Sequence, residues 1–168
     1  MADLLQNPQL MRKIKEELTS VIGTNAQIQE SDIARLQYLQ AVVKETVRLR
    51  AVAPLVPRRA EATTEVQGYT IPKGTNVILN LWAINRDARA WNDPDKFKPE
   101  RFIGNDINYL GQDFQFVSFG VGRRICLGLP LAQKVMYLVL GTLVHQSDWS
   151  LPEELKESGV QLQIYLES

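Results

Sequence analysis

One cysteine, Cys126, and one histidine, His145, are all the thiol and imidazole in 168 residues. A single thiol rules out an internal disulfide, and the pair falls short of the four ligands a structural zinc site needs. A reducing compartment is therefore expected. Charge of one sign is also lacking: 19 basic residues face 19 acidic ones, so no electrostatic footprint of a nucleic-acid partner is present. Long apolar runs are missing too. The most apolar stretch, Leu129 to Val144, contains Gln133 and Lys134 and is shorter than the roughly 18 residues a membrane span requires. Met1 to Gln9 carries Asp3, Gln6 and Asn7 without a basic, then apolar, leader, so no secretory signal is expected there. Neither an internal repeat nor a low-complexity tract is visible. What the chain does have is 45% hydrophobic and 23% charged residues, enough apolar material for a core. By length it is one domain, or part of a larger one.

Taken in order, Asn7-Pro8 suits a helix start, Leu10, Ile14, Leu18 and Val21-Ile22 recur at helical spacing, and Gly23 marks the stop. Lys13, Lys15, Glu16 and Glu17 form its solvated side. Ser31-Asp32 is expected to cap a second helix running to about Arg50, with Ile33, Leu36, Leu39, Val43 and Val47 on one face. Glu45 and Arg48 lie three apart on that helix. They form either an exposed pair worth about 0.2–0.5 kcal/mol or a buried pair that further hydrogen bonds or a second cation must complete. Ala53 to Arg58, with Pro54 and Pro57, reads as a stiff extended stretch ending on Arg58 and Arg59. Val66 to Ile71 and Thr75 to Asn80 read as a hairpin turning at Ile71-Pro72-Lys73-Gly74. Leu81 to Ala88 is expected to form a helix turn with Trp82 and Ile84 inward. Trp91 to Phe102 reads as coil ordered by its aromatics, Gly104 to Asp113 as a surface loop, and Val160 to Leu166 as a strand.

The lone thiol stands in Phe119-Gly120-Val121-Gly122-Arg123-Arg124-Ile125-Cys126-Leu127-Gly128, directly before the apolar helix. A thiol near a helix start and arginines tends to ionise. Three roles compete for it. It can be a buried structural cysteine. A nucleophile needs a base, and His145, 19 positions further along the same expected helix, lies about 28 Å away at about 1.5 Å per residue, out of reach. It can also ligate the metal of a cofactor that brings its own remaining ligands, as haem does. Gly120, Gly122 and Gly128 leave room for a flat macrocycle, Phe119 offers an aromatic edge, and Arg124 and Arg58 offer cations to an anionic rim.

Phe119-x-x-Gly122-x-Arg124-x-Cys126-x-Gly128 resembles the haem-binding loop of the cytochrome P450 family. Glu45-x-x-Arg48 resembles that family's helix-K motif, and Pro99-Glu100-Arg101-Phe102 its Pro-Glu-Arg-Phe motif, in the family's order. The wording from Trp82 to Asp87 and from Pro94 to Phe102 is similar to plant microsomal members, the geraniol-hydroxylase-like subfamily included. The resemblance implies a mainly α fold with small β-sheets. Residues 1–168 would be the C-terminal portion of a single cytochrome P450 domain: helices J and K, a small hairpin sheet, the meander coil, the haem-binding loop and helix L.

The same resemblance implies haem b (iron protoporphyrin IX), with Cys126 as axial iron ligand and Phe119, Gly122, Arg124, Gly128 and Arg58 around the cofactor. Arg58 and Arg124 would take the propionates. Glu45, Arg48 and Arg101 would form a buried structural cluster, and Val52, Ala53, Leu55 and Val56 would line the substrate pocket. The intact parent would be a haem-thiolate monooxygenase of secondary metabolism, using dioxygen, a small apolar terpenoid- or phenylpropanoid-like substrate and NADPH-cytochrome P450 reductase. It would sit on the cytosolic face of the endoplasmic reticulum, held by an N-terminal anchor that these residues do not contain. Without that anchor the chain would be cytosolic. The oxygen-activating helix with its acid-Thr pair also precedes the part seen here, so no catalytic residue is assigned and the chain alone is expected to be inactive. A truncated non-catalytic haem-binding remnant and a haem-thiolate rearrangement enzyme are the alternatives. Two departures from the family pattern stand out: Ser118 where proline usually precedes the loop, and Arg50-Ala51 where plant members usually have His-Pro.

Overall fold

In the computed structural model, which describes residues 1–24 and 26–151, the chain runs α1 (Ala2–Leu5), α2 (Pro8–Ile22), a 3-10 turn (Glu30–Arg35), α3 (Gln37–Leu49), β1 (Leu55–Arg59), β2 (Thr64–Val66), β3 (Tyr69–Ile71), β4 (Asn76–Asn80), α4 (Leu81–Ile84), further 3-10 turns at Pro99–Phe102 and Gly122–Arg124, and α5 (Leu129–Gln146). The fold is thus mainly helical with small antiparallel sheets, as expected. It divides into two compact units. The first comprises Met1–Val43, Phe97–Gly104 and the residues from Leu127 on; the second comprises Lys44–Lys96 and Asn105–Cys126. The strand expected over Val160 to Leu166 lies outside the described residues. Among the described residues no helix is long and apolar enough to cross a membrane.

In the first unit, α2 takes the expected bounds, with Pro8 in its first turn and Gly23 beyond its end. Its apolar face buries Ile14 and Leu18 completely. The second helix departs from expectation. Ser31 and Asp32 fall inside the 3-10 turn, where Gln29 and Asp32 close a capping box, and Leu36 breaks the path before α3 begins at Gln37. The cap of α3 comes from elsewhere: the Glu17 carboxylate accepts the backbone N–H groups of Tyr38 (2.7 Å) and Leu39 (2.9 Å). Glu17 is therefore not a solvated residue. A carboxylate at a helix N-terminus satisfies two orphan donors and meets the positive end of the dipole.

Helix α5 is only partly buried. Only Leu129, Tyr137, Gly141 and Val144 are buried, while Leu131, Val135 and Val139 are exposed. A helix that is apolar all round has more than one face to cover, and in this unit one face is covered. Gly141 lets α5 approach closely: a Cβ there would stand 2.6 Å from Ile28 Cδ1 and 3.3 Å from Leu39 Cδ2.

Glu100 accepts hydrogen bonds from Lys13 Nζ (2.6 Å) and the Tyr38 hydroxyl (3.1 Å). Burial pushes its carboxyl up, but the bonds from Lys13, its own backbone N–H and Tyr38 outweigh this and leave it below its ordinary value. A carboxyl depressed in the folded state adds stability above its unfolded pKa, about 4.3, and that stability is lost as pH falls through the folded value. Glu100→Gln should accordingly lower the urea midpoint at neutral pH. It should also flatten the decline of that midpoint below about pH 4.3. An acid limb identical to that of the parent chain would contradict this.

In the second unit the extended stretch from Pro54 becomes β1 and pairs antiparallel with β4, from Leu55 opposite Asn80 to Arg59 opposite Asn76. Pro57 sits in β1 without harm because, among the described residues, β1 pairs with β4 alone, so its missing N–H faces away from the ladder. The hairpin lies one step earlier than expected. Strands β2 and β3 pair across Gln67-Gly68, both at positive φ (52° and 80°), the geometry that two-residue hairpin turns favour. The Pro72 turn instead delivers the chain into β4, with Thr75 N–H on Pro72 O (3.2 Å).

Helix α4 is capped by the Asn80 side chain, which accepts Ala83 N–H (3.0 Å). It buries Leu81, whereas Trp82 is exposed, contrary to expectation; the Arg86 guanidinium covers its ring at 4.7 Å. The core of this unit is aromatic. Trp91 and Tyr109 both meet the Phe116 ring edge-on, at 5.9 and 5.4 Å. Tyr109, inside the expected surface loop, is 1% exposed.

Candidate functional site

Glu45 and Arg48, both in the second unit, are wholly buried. Arg48 Nε and Nη2 donate to the two carboxylate oxygens of Glu45 at 2.8 and 2.9 Å. Its remaining donors reach backbone carbonyls: Nη1 those of Asn85 and Pro94, each at 2.7 Å, and Nη2 that of Lys96 at 3.4 Å. All five guanidinium N–H groups are thereby engaged, and the Trp91 ring lies 5.1 Å from Arg48 Cζ. The buried alternative is the one the chain adopts. The backbone carbonyls of Asn85, Pro94 and Lys96 complete the pair. Arg101 lies in the 3-10 turn Pro99–Phe102.

The exit of α3 is also held. Arg86 Nη2 donates to Leu49 O (2.6 Å), and Arg86 Nε pairs with Asp95 (3.3 Å). Burial lowers the Arg86 pKa. Ala51 is buried at the exit, so Arg50-Ala51 leaves a tied rather than a loose end.

The loop from Phe119 is folded back on itself by short bonds. Gly120 N–H meets Val117 O (2.7 Å), Ile125 N–H meets Gly122 O (3.1 Å), and Cys126 N–H meets Phe119 O (2.9 Å). Gly120 and Gly122 take φ of 76° and 66°, a region L side chains rarely enter. No atom lies within 4 Å of a Cβ built on Gly122, so its face is open. Gly128, at φ −79°, needs no such freedom. The Phe119 ring packs on Tyr109 at 5.3 Å. Cys126 is a free, exposed thiol, so the buried structural role does not hold.

Beside the loop, within the second unit, lies a cleft of about 780 Å³ whose lining includes Arg58, Arg59, Lys73, Arg123 and Arg124, with Glu61 as its acid. The structure thus brings Arg58 and Arg124 to one cavity; Cys126 is not in its lining. Arg59, Lys73 and Arg123 are cations that sequence reasoning did not assign to it. Arg59 ends β1, Lys73 follows Pro72 in the turn into β4, and Arg123 lies in the 3-10 turn Gly122–Arg124. Val52 and Leu55 stand exposed at the entry to β1. Among the described residues no three His, Cys, Asp or Glu side chains gather to hold a metal ion. The donor set is therefore one thiol and a group of cations, with glycine where the backbone must be approached. Such a set fits an anionic planar cofactor that supplies its metal's other ligands itself.

The sequence gives no role to Asn85 and marks Ser118 only as a departure from the family pattern. Asn85 is fully buried, a polar residue directly after the apolar turn Leu81–Ile84, which is the one signal it gives.

The sequence profile of the cytochrome P450 family matches residues 1–163. Cytochrome P450 76C4 of Arabidopsis thaliana is 54% identical over 153 residues, covering 90% of this chain and 30% of the relative. The iridoid oxidase of Catharanthus roseus is 49% identical over 162 residues, covering 96% and 32% respectively. A zebra fish cytochrome P450 solved with abiraterone superposes with a TM-score of 0.82 at 35% identity, over 91% of this chain and 35% of that one. The chain spans about a third of the length of the curated relatives it matches.

Proposed function

The chain belongs to the cytochrome P450 family, and on that premise we propose that its 168 residues form the C-terminal, haem-ligating portion of a single plant-type P450 domain. Cys126 would ligate the iron of haem b. Arg58 and Arg124 take the propionates, while Phe119, Gly122 and Gly128 shape the wall the macrocycle meets. The observation that carries this reading is the loop: an exposed thiol held by Cys126 N–H on Phe119 O, beside a cleft whose cations include Arg58 and Arg124.

When bound, thiolate-ligated haem supplies cleavage of the dioxygen O–O bond and insertion of one oxygen atom into a substrate. The chain's own residues do the rest of the local work. The arginines neutralise the cofactor rim, and the folded loop keeps the thiolate aimed. Glu45 and Arg48, with Arg101 as third member, hold the coil that precedes the loop. Val52, Ala53, Leu55 and Val56 form part of the substrate wall. The intact protein is a monooxygenase of the endoplasmic reticulum surface that draws electrons from NADPH-cytochrome P450 reductase. Its substrate is small, apolar and terpenoid-like, a class consistent with the iridoid oxidase among its relatives. The 168 residues alone bind haem without turning substrate over.

The test is to load the expressed chain with haem, reduce it under carbon monoxide, and then add reductase, NADPH and a terpenoid alcohol. A thiolate-type spectrum without product is expected. Absence of haem binding would sink the ligand assignment, and product formation would sink the claim of inactivity.

A further inference from the structure

Asn85 stands at the C-terminal end of α4 and is completely buried, and its polar atoms serve two other segments, α3 and the stretch Val117-Ser118. Its carbonyl accepts Arg48 Nη1 (2.7 Å). Its Oδ1 accepts the N–H of Val117 (3.2 Å), and its Nδ2 donates to Ser118 Oγ (2.8 Å). Ser118 Oγ in turn donates to Val47 O on α3 (2.9 Å). Val117 and Ser118 are the two residues through which the chain enters the Cys126 loop. The Val117 carbonyl anchors Gly120, and Phe119, next to Ser118, anchors Cys126. Hydrogen bonds therefore tie α3 to Ser118, and the next residue in the chain, Phe119, accepts from Cys126, all within one unit.

We propose that Ser118, held by Asn85, is a positioning residue that sets the register of the Cys126 loop. In the family pattern a proline usually stands here, and its ring restrains the chain by fixing φ. Serine has no such ring. Its hydroxyl instead makes two bonds, one donated and one accepted, which pin the same point from both sides. The consequence for haem rests on the ligand assignment above; the consequence for the loop does not.

The experiment is hydrogen exchange at the Cys126 amide of the full chain, compared with the Arg50 amide, which bonds to Thr46 O (2.8 Å) at the end of α3. Ser118→Ala removes both hydroxyl bonds. It should speed exchange at Cys126 by about tenfold, equivalent to about 1.4 kcal/mol in loop opening, with Arg50 unchanged. Ser118→Thr, which keeps the hydroxyl, should restore the slow rate. In the haem-loaded chain Ser118→Ala should also convert part of the reduced carbon-monoxide spectrum from thiolate to neutral-thiol type. Unchanged exchange at Cys126, acceleration shared equally by Arg50, or failure of threonine to rescue overturns the proposal. A chain that binds no haem defeats the ligand assignment instead, and the exchange comparison still decides the role of Ser118.

Discussion

Arg48→Met should leave little folded protein. The substitution keeps volume and apolar stem but withdraws all five donors at once. It strands the Glu45 carboxylate with no exposure to water, together with the carbonyls of Asn85, Pro94 and Lys96. Breaking a buried pair by removing one partner costs about 3–5 kcal/mol, against a total stability of about 5–15 kcal/mol for a typical domain. Glu45→Ala should reduce soluble folded protein by the same logic, from the other side of the pair. The double variant Glu45→Leu/Arg48→Met removes both charges and should be less destabilised than the sum of the single changes. Urea midpoints of the four proteins decide the matter. Single variants as stable as the parent would show that the pair does not hold the coil.

Cys126→Ala should give the opposite pattern, with the fold intact and the haem signature gone. The side chain is exposed, and surface substitutions away from special features usually change stability by less than about 0.5 kcal/mol. The urea midpoint should therefore hold. The thiolate-type spectrum should vanish completely, because the sequence has no second cysteine. A parent chain whose reduced carbon-monoxide spectrum matches that of the variant would remove Cys126 from the iron.

What the sequence displays and what it hides follow from range. Motifs read locally survive well. The bounds of α2 follow from Asn7-Pro8 and Gly23, and the extended stretch before Arg58 follows from its prolines. The haem-loop pattern is contiguous, so its glycines and thiol are legible as a set. Long-range partners are not. Nothing near Gln37 announces that Glu17 caps α3 from 20 or more positions away. Nothing near Glu45-Arg48 tells the buried pair from the exposed one, because the three carbonyls that complete it lie 37 to 48 positions further on. The hairpin was misplaced for a related reason. Pro72-Lys73-Gly74 is the stronger turn signal in the sequence, yet the strand it feeds pairs with β1 rather than with β3. Ser118 is legible only as a departure; what the hydroxyl does depends on Asn85 and Val47, which α4 and α3 supply.

The indole of Trp91 gives this arrangement an optical readout. It is 3% exposed and lies against the Arg48 guanidinium and the Phe116 ring, and its Nε1 donates to Gln115 O (3.1 Å). The two other tryptophans, Trp82 and Trp149, are open to water. In the haem-free chain, collisional quenchers will thus extinguish the emission of Trp82 and Trp149 first and leave a shielded fraction that comes from Trp91. That protected fluorescence reports, in a single cuvette and without any label, whether the guanidinium beside it is still in place.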